Sequence, residues 1–136
     1  MQPPPGEFAA QQREGAQRFV GTWLVSDTIE GSPFADAIIQ WHGDGTEFEN
    51  VNLPILGGNI CLGEWLPIDN SHIRRKHMGW MVSNGALIGY FTEVEIDTIS
   101  PNGLSYYGTT EQKFFDVNGN PQGGVRGTSS ATRLPR

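Results

Sequence analysis

Residues 58–115, GNICLGEWLPIDNSHIRRKHMGWMVSNGALIGYFTEVEIDTISPNGLSYYGTTEQKFF, read as four β-strands joined by tight turns. Asn84-Gly85 and Asn102-Gly103 supply what a two-residue type I′ hairpin turn requires, central positions that accept positive φ. They set Ser83 opposite Ala86 and Pro101 opposite Leu104. Asn70-Ser71 reads as a third turn with Asp69 opposite His72, although serine is a poor residue at positive φ. Side chains alternate along a strand, so these turns sort the stretch into two faces.

One face is aromatic. It carries Cys61, Gly63 and Trp65, then Arg74, Lys76, Met78 and Trp80, then Gly89, Phe91, Glu93 and Glu95, then Tyr106, Gly108, Gln112 and Phe114. The other is aliphatic, with Ile60, Leu62, Glu64, Ile73, Arg75, His77, Ile88, Tyr90, Val94 and Tyr107 among its members. Neither face is simply polar. A one-residue slip or a bulge at any turn would exchange parts of the two sets.

Outward from the centre, the same punctuation continues. Arg18 to Glu30 reads as a first strand, broken by Gly31-Ser32-Pro33. Ala35 to Trp41 reads as a second, and Thr46 to Leu53 as a third, with Glu47, Glu49 and Val51 sharing a face. Gly124 to Arg133 reads as the last. Residues 7–17 suggest a short helix across one end, and Met1–Gly6, with three consecutive prolines, a flexible arm. The expectation is one domain over 7–136: an all-β, eight-stranded antiparallel up-and-down barrel with a short N-terminal helical segment. Closure is what disposes of the two edge strands. Eight strands leave an interior that side chains fill or that one small ligand occupies.

Gly21-Thr22-Trp23 on the first strand resembles the Gly-x-Trp signature of the lipocalin and wider calycin barrels, and Arg133 stands at the end of the last strand, where that family places an arginine over the tryptophan. The chain differs from secreted lipocalins in lacking a disulfide pair and a long C-terminal helix, and looks more like a compact single-barrel relative. The resemblance implies a barrel with a small-molecule cavity and names no ligand.

Composition excludes several partners. A formal net charge of −6 argues against a nucleic-acid backbone and against an anionic membrane surface. No stretch is apolar for long enough to span a membrane, and Met1–Gly6 has no secretory pattern, so the cytoplasm is the default expectation, with a periplasmic or secreted site if a leader had been removed. Cys61 is the single cysteine, so it forms no intramolecular disulfide and reads as a small buried hydrophobe.

Two interiors are open. With the aromatic face inward, Trp41, Trp65, Met78, Trp80, Phe91, Glu93, Tyr106, Gln112 and Phe114 line a pocket for an apolar, aromatic or isoprenoid-like molecule. Gly63, Gly89 and Gly108 would leave it room. Lys76 then falls opposite Glu93 and Arg74 opposite Glu95, as an exterior ladder or a charged rim. With the aliphatic face inward, Glu64 lies opposite His77, with Tyr90 nearby. A carboxylate that orients an imidazole suits a cofactor-free isomerase, cyclase or lyase, for which Glu93 with Tyr106 is the other acid–base pair. A filled structural barrel that self-associates is a third reading. No cofactor is expected, and no metal. His72 and His77 point to opposite faces, and His42 and Asp44 lack a third ligand. The segment after Asp116 has Pro121 and Gly127 where a calcium loop needs glycine and glutamate.

Overall fold

The computed structural model describes residues 17–54 and 59–135. Eight strands follow a 3-10 turn at Gln17–Phe19: β1 (Gly21–Ile29), β2 (Ser32–Trp41), β3 (Thr46–Val51), β4 (Ile60–Pro67), β5 (His72–Ser83), β6 (Ala86–Ile99), β7 (Ser105–Asp116) and β8 (Pro121–Arg133). Each pairs antiparallel with the next, and β8 returns to β1 to close the barrel. The expected flexible arm and the helix over 7–16 lie outside the described residues.

Two of the three central turns keep the expected register, by different means. Asn84 and Gly85 both take positive φ, 51° and 77°, and Ser83 pairs with Ala86. At the next turn only Gly103 does, with φ 72°. The Asn102 side chain accepts from the Leu104 backbone N–H at 3.0 Å, so Pro101 and Leu104 belong to a four-residue loop. Ile99 still pairs with Tyr106, which leaves the β6–β7 register as the sequence implies.

The third turn departs. Asp69 accepts hydrogen bonds from the backbone N–H groups of Ser71 and His72, at 2.9 and 3.0 Å. The Ile68 N–H reaches the His72 carbonyl at 2.9 Å. This carboxylate-capped loop holds one residue more than a two-residue turn, and Gly63 faces His77 while Trp65 faces Arg75. A second single-residue shift follows in β6, where Val82 pairs with Leu87 but Met81 with Gly89, leaving Ile88 as the bulge. Between these two shifts β5 is turned over. Ile73, Arg75, His77 and Gly79 point inward, and Arg74, Lys76, Met78 and Trp80 point outward. The aromatic face is therefore the interior on β4, β6 and β7, and the exterior on β5. The expected pairs Lys76–Glu93, Arg74–Glu95 and Glu64–His77 are replaced by His77 opposite Glu93, Arg75 opposite Glu95 and Glu64 opposite Lys76.

One end of the barrel is plugged by rings. Phe19, Trp23, Trp41, Trp65 and Tyr106 are buried, with Ile73 and Ile99 beside them. Tyr106 meets Trp23 edge-on at 4.9 Å and Trp41 at 5.9 Å. Such edge-to-face contacts add to the area these rings remove from water. The Trp23 indole N–H donates to the Phe19 carbonyl at 2.8 Å, which ties the 3-10 turn under the barrel floor. The guanidinium of Arg133 lies 4.2 Å from the Trp23 ring centroid and donates to the carbonyls of Arg18, Val20 and Gly103. Gly21 matters here, because a Cβ in its place would sit 2.6 Å from an Arg133 nitrogen. No described helix is long and apolar enough to cross a membrane, which says nothing about strands.

Candidate functional site

Above the ring plug the interior changes character. Glu47 and Glu49 of β3, Arg75 and His77 of β5, and Glu93, Glu95 and Asp97 of β6 all point inward and are buried. Asp27 of β1 joins them, half-buried. Strand alternation alone puts these residues in register, since each occupies an inward position of its strand.

Arg75 is the hub. It is 1% exposed and pairs with Glu49 at 3.1 Å, with Glu93, and with Glu95 at 3.5 Å. Its guanidinium also lies 5.6 Å from the Trp41 ring, which couples the belt to the plug below. A guanidinium suits this position because it stays charged and offers a fork of donors to several carboxylates. His77 is the second node. Its Nδ1 meets Glu47 at 2.8 Å, and its Nε2 lies 3.4 Å from Glu93. Glu93 also accepts from the Gln112 amide at 2.5 Å.

The missing side chains of Gly63 and Gly108 make this packing feasible. A Cβ at Gly63 would stand 2.4 Å from the Cβ of His77, and one at Gly108 would stand 1.8 Å from Asp97 Oδ1. The room these glycines leave is therefore taken by the belt itself.

The belt holds more acid than base. Among the described residues, Asp27, Glu47, Glu49, Glu93, Glu95 and Asp97 share the interior with Arg75 and His77 as their basic partners. Ionised carboxylates without partners are costly in a low-dielectric interior. The proton affinities follow. Burial, then the charge of Glu49, pushes Asp27 up to about 8, against the hydrogen bond that it accepts from Ser129. Burial raises Glu49, and burial with the neighbouring Glu95 raises Asp97 well above the carboxylate range. Glu93 goes the other way. Burial alone would raise it, but the hydrogen bond to His77 and the Arg75 charge hold it down at about 2. Burial and Arg75 oppose charge on His77, yet its contacts with Glu47 and Glu93 carry it up to about 9.

At the end opposite the ring plug the belt opens into a cavity of about 160 Å³. Phe34, Val51, Leu53, Met81, Phe91 and Phe114 form its apolar wall. Asp27, Glu49, His77, Glu93 and Gln112 line its polar side, together with Cys61. The arrangement can hold one ring-sized molecule with an apolar body against the phenylalanines and a polar group against the belt.

The sequence-derived candidates fall in four places. Phe91, Glu93, Gln112 and Phe114 line this cavity. Trp41, Trp65 and Tyr106 are buried in the ring plug. Met78 and Trp80 lie on the outer surface, 44% and 61% exposed, because β5 is turned over. Of the proton-transfer candidates, His77 faces inward, Glu64 is exposed, and Tyr90 stacks on Phe115 at 5.0 Å on the outside. The carboxylates that hold His77 are Glu47 and Glu93. The Arg133 guanidinium lies over the Trp23 ring, with Gly21 against the same side chain. The segment from Asp116 forms a side-chain-capped turn, in which Asp116 Oδ1 accepts from the backbone of Asn118 and Asn120.

Sequence reading missed Arg75, Glu47, Glu49, Glu95, Asp97 and Asp27 as site residues. A usable signal was present for β3, where Glu47 and Glu49 share a face with Val51.

No family model matches the chain, and no curated protein matches it. Among solved structures, one described as "Structure of EF1p2_mFAP2b bound to DFHBI" is similar with a TM-score of 0.60 and 15% identity, covering 91% of this chain and 99% of that chain. At that identity the likeness is one of fold, that of the eight-stranded closed antiparallel barrel.

Proposed function

We propose that this barrel is a small-molecule-binding protein of lipocalin-like design, and that its ligand sits in the cavity between the three phenylalanines and the charged belt. The observation that carries the reading is the cavity itself. Its 160 Å³ is close to the roughly 150 Å³ of an engineered apolar cavity that takes up benzene. It is therefore sized for one aromatic ring or one isoprenoid unit. The similar barrel that binds DFHBI supports the use of this fold for such a ligand. The polar side favours a hydrogen-bonding substituent, because a wholly apolar ligand against Asp27, Glu49 and Gln112 would leave the rest of their hydrogen-bonding capacity unmet.

The test is a panel of one-ring compounds (toluene, phenol, aniline, benzylamine) screened by saturation-transfer NMR and calorimetry. Saturable one-to-one binding is expected for members with a polar substituent. Phe114→Trp should fill the cavity and weaken binding by about tenfold or more, since about 1.4 kcal/mol corresponds to tenfold. Absence of binding across the panel, or an unchanged affinity in Phe114→Trp, refutes the reading.

A second reading rests on His77. It lines the cavity with Glu47 on one ring nitrogen and Glu93 near the other, which is the geometry of a positioned proton donor. Turnover of a bound compound that is lost in His77→Gln with binding retained would distinguish a lyase or isomerase from a carrier.

A further inference from the structure

Three groups of different chemistry converge below the cavity. Glu49 projects from β3, Cys61 from β4 directly opposite it, and His77 from β5. One donor atom from each, an oxygen, a sulfur and a nitrogen, lies within 4.8 Å of the other two, and all three residues are buried. We propose that Glu49, Cys61 and His77 form a binding site for a borderline divalent cation of the zinc class, with its fourth position open to the cavity.

The coordination chemistry supports this assignment. Zinc takes thiolate, imidazole and carboxylate together, and a three-residue set with an open position is its usual reactive form. Donor atoms around a tetrahedral zinc stand roughly 3.3–3.8 Å apart. Closing from at most 4.8 Å therefore asks for adjustments of about 1 Å.

Among the described residues, Cys61 and Glu49 each offer an atom that makes no hydrogen bond. Cys61 is 2% exposed and its thiol makes no hydrogen bond among the described residues. Only Oε2 of Glu49 is engaged, by Arg75 at 3.1 Å, which leaves Oε1 without a hydrogen bond among the described residues. Glu47 holds Nδ1 of His77 at 2.8 Å, which leaves Nε2, 3.4 Å from Glu93, as the nitrogen that a metal would take. A carboxylate behind a ligating imidazole is the outer-shell partner that such sites use to fix the ring. Gly63 lets the His77 side chain cross β4 at this level, because a Cβ there would be 2.4 Å from that of His77.

Charge balance argues the same way. Arg75 is shared by Glu49, Glu93 and Glu95, so the nearest cation is already outnumbered. The surplus of buried carboxylates has to be balanced by protons or by a cation. A divalent ion supplies two charges at the point where three ligand atoms already meet. Its binding releases to solvent the thiol proton of Cys61 and any proton on His77 Nε2. No redox change is involved.

The test uses the full chain after treatment with a chelator and dialysis, and zinc(II) and cobalt(II) alone as probes. Calorimetry should give one zinc per chain with a dissociation constant below about 1 μM. Cobalt should show the visible bands of a four-coordinate site and a near-ultraviolet sulfur-to-cobalt charge-transfer band. Cys61→Ser should lose that band and weaken binding at least tenfold. Glu47→Gln should retain the band but weaken binding roughly 10- to 100-fold, the range for outer-shell partners. Because Cys61→Ser barely changes volume, its folding can be verified by circular dichroism. The proposal is overturned if neither metal binds. It is equally overturned if Cys61→Ser binds cobalt as the parent does, or if binding disappears instead on changing His42 or His72 at the surface.

Discussion

Asp27→Asn is expected to make the protein more stable, by an amount that grows as the pH rises above about 4. Asp27 faces Glu49, Glu93 and Glu95 across the barrel and accepts a hydrogen bond from the Ser129 hydroxyl. Its proton is held until about pH 8, against an ordinary value of 3.8. Between those values the folded protein binds more protons at this site than the unfolded chain does. Stability therefore falls as pH rises through this window. The interval from 3.8 to pH 7, at about 1.36 kcal/mol per pH unit, sets a ceiling of about 4 kcal/mol on the cost at pH 7. Burial raises Glu49 as well, and its charge is among the causes that hold the Asp27 proton, so the two share that cost and about half the ceiling, about 2 kcal/mol, is the expected gain. Asparagine keeps an oxygen for the Ser129 hydroxyl and cannot ionise. Urea unfolding of both proteins at pH 4, 5.5, 7 and 8, in the presence of a chelator, measures the difference. It should be near zero at pH 4 and grow with pH. A difference that is flat with pH, or a variant less stable at pH 8, would refute the assignment of Asp27 as a buried, protonated member of the belt.

Other substitutions test the plug and the register. Arg133→Ala removes the contact over Trp23 and donors to three carbonyls, and should cost about 2–4 kcal/mol; an unchanged melting temperature would mean that the arginine does not secure the floor. Gly108→Ala should cost more than about 2 kcal/mol by pressing on Asp97, and combining it with Asp97→Ala should recover at least about 1 kcal/mol of that loss. Strict additivity would count against the contact. Trp65→Ala should cost about 3–5 kcal/mol, whereas Trp80→Ala should stay within about 0.5 kcal/mol. The reverse order would restore the face assignment that the turns suggest. Trp80→Phe should also remove most acrylamide-quenchable emission, since Trp23, Trp41 and Trp65 are 5% exposed or less.

The strand count, the barrel and the Trp23–Arg133 closure are legible in the sequence because local signals carry them: Asn84-Gly85 for a hairpin, glycine and proline between runs, alternation within runs. The inward residues of β5 are not. Asp69 adds a residue to its loop by capping two backbone N–H groups, and Ile88 adds another in β6. Each is a one-residue event, and together they turn over a single strand while leaving both its neighbours as expected. The belt was hidden for a second reason. Inward charge inverts the rule that polar residues face water, so Arg75, Glu95 and Asp97 look like surface positions until Glu47 and Glu49 are seen across from them. The donors Glu49, Cys61 and His77 come from three strands, and no spacing along the chain announces them.

The seam between β1 and β8 has a consequence for assembly. It joins Trp23 to Arg133 and Ile29 to Gly127, and Thr28 meets Thr128 100 residues away. Contacts of such separation are slow to form, on the order of milliseconds to seconds. Until β8 arrives, β1 and β7 are open edges, Asp27 lacks Ser129, and the floor lacks its arginine. The final strand is thus a separable latch. A chain ending at residue 120 and a peptide of residues 121–135 should reconstitute the barrel on mixing, which would make the protein a split reporter whose signal is closure itself.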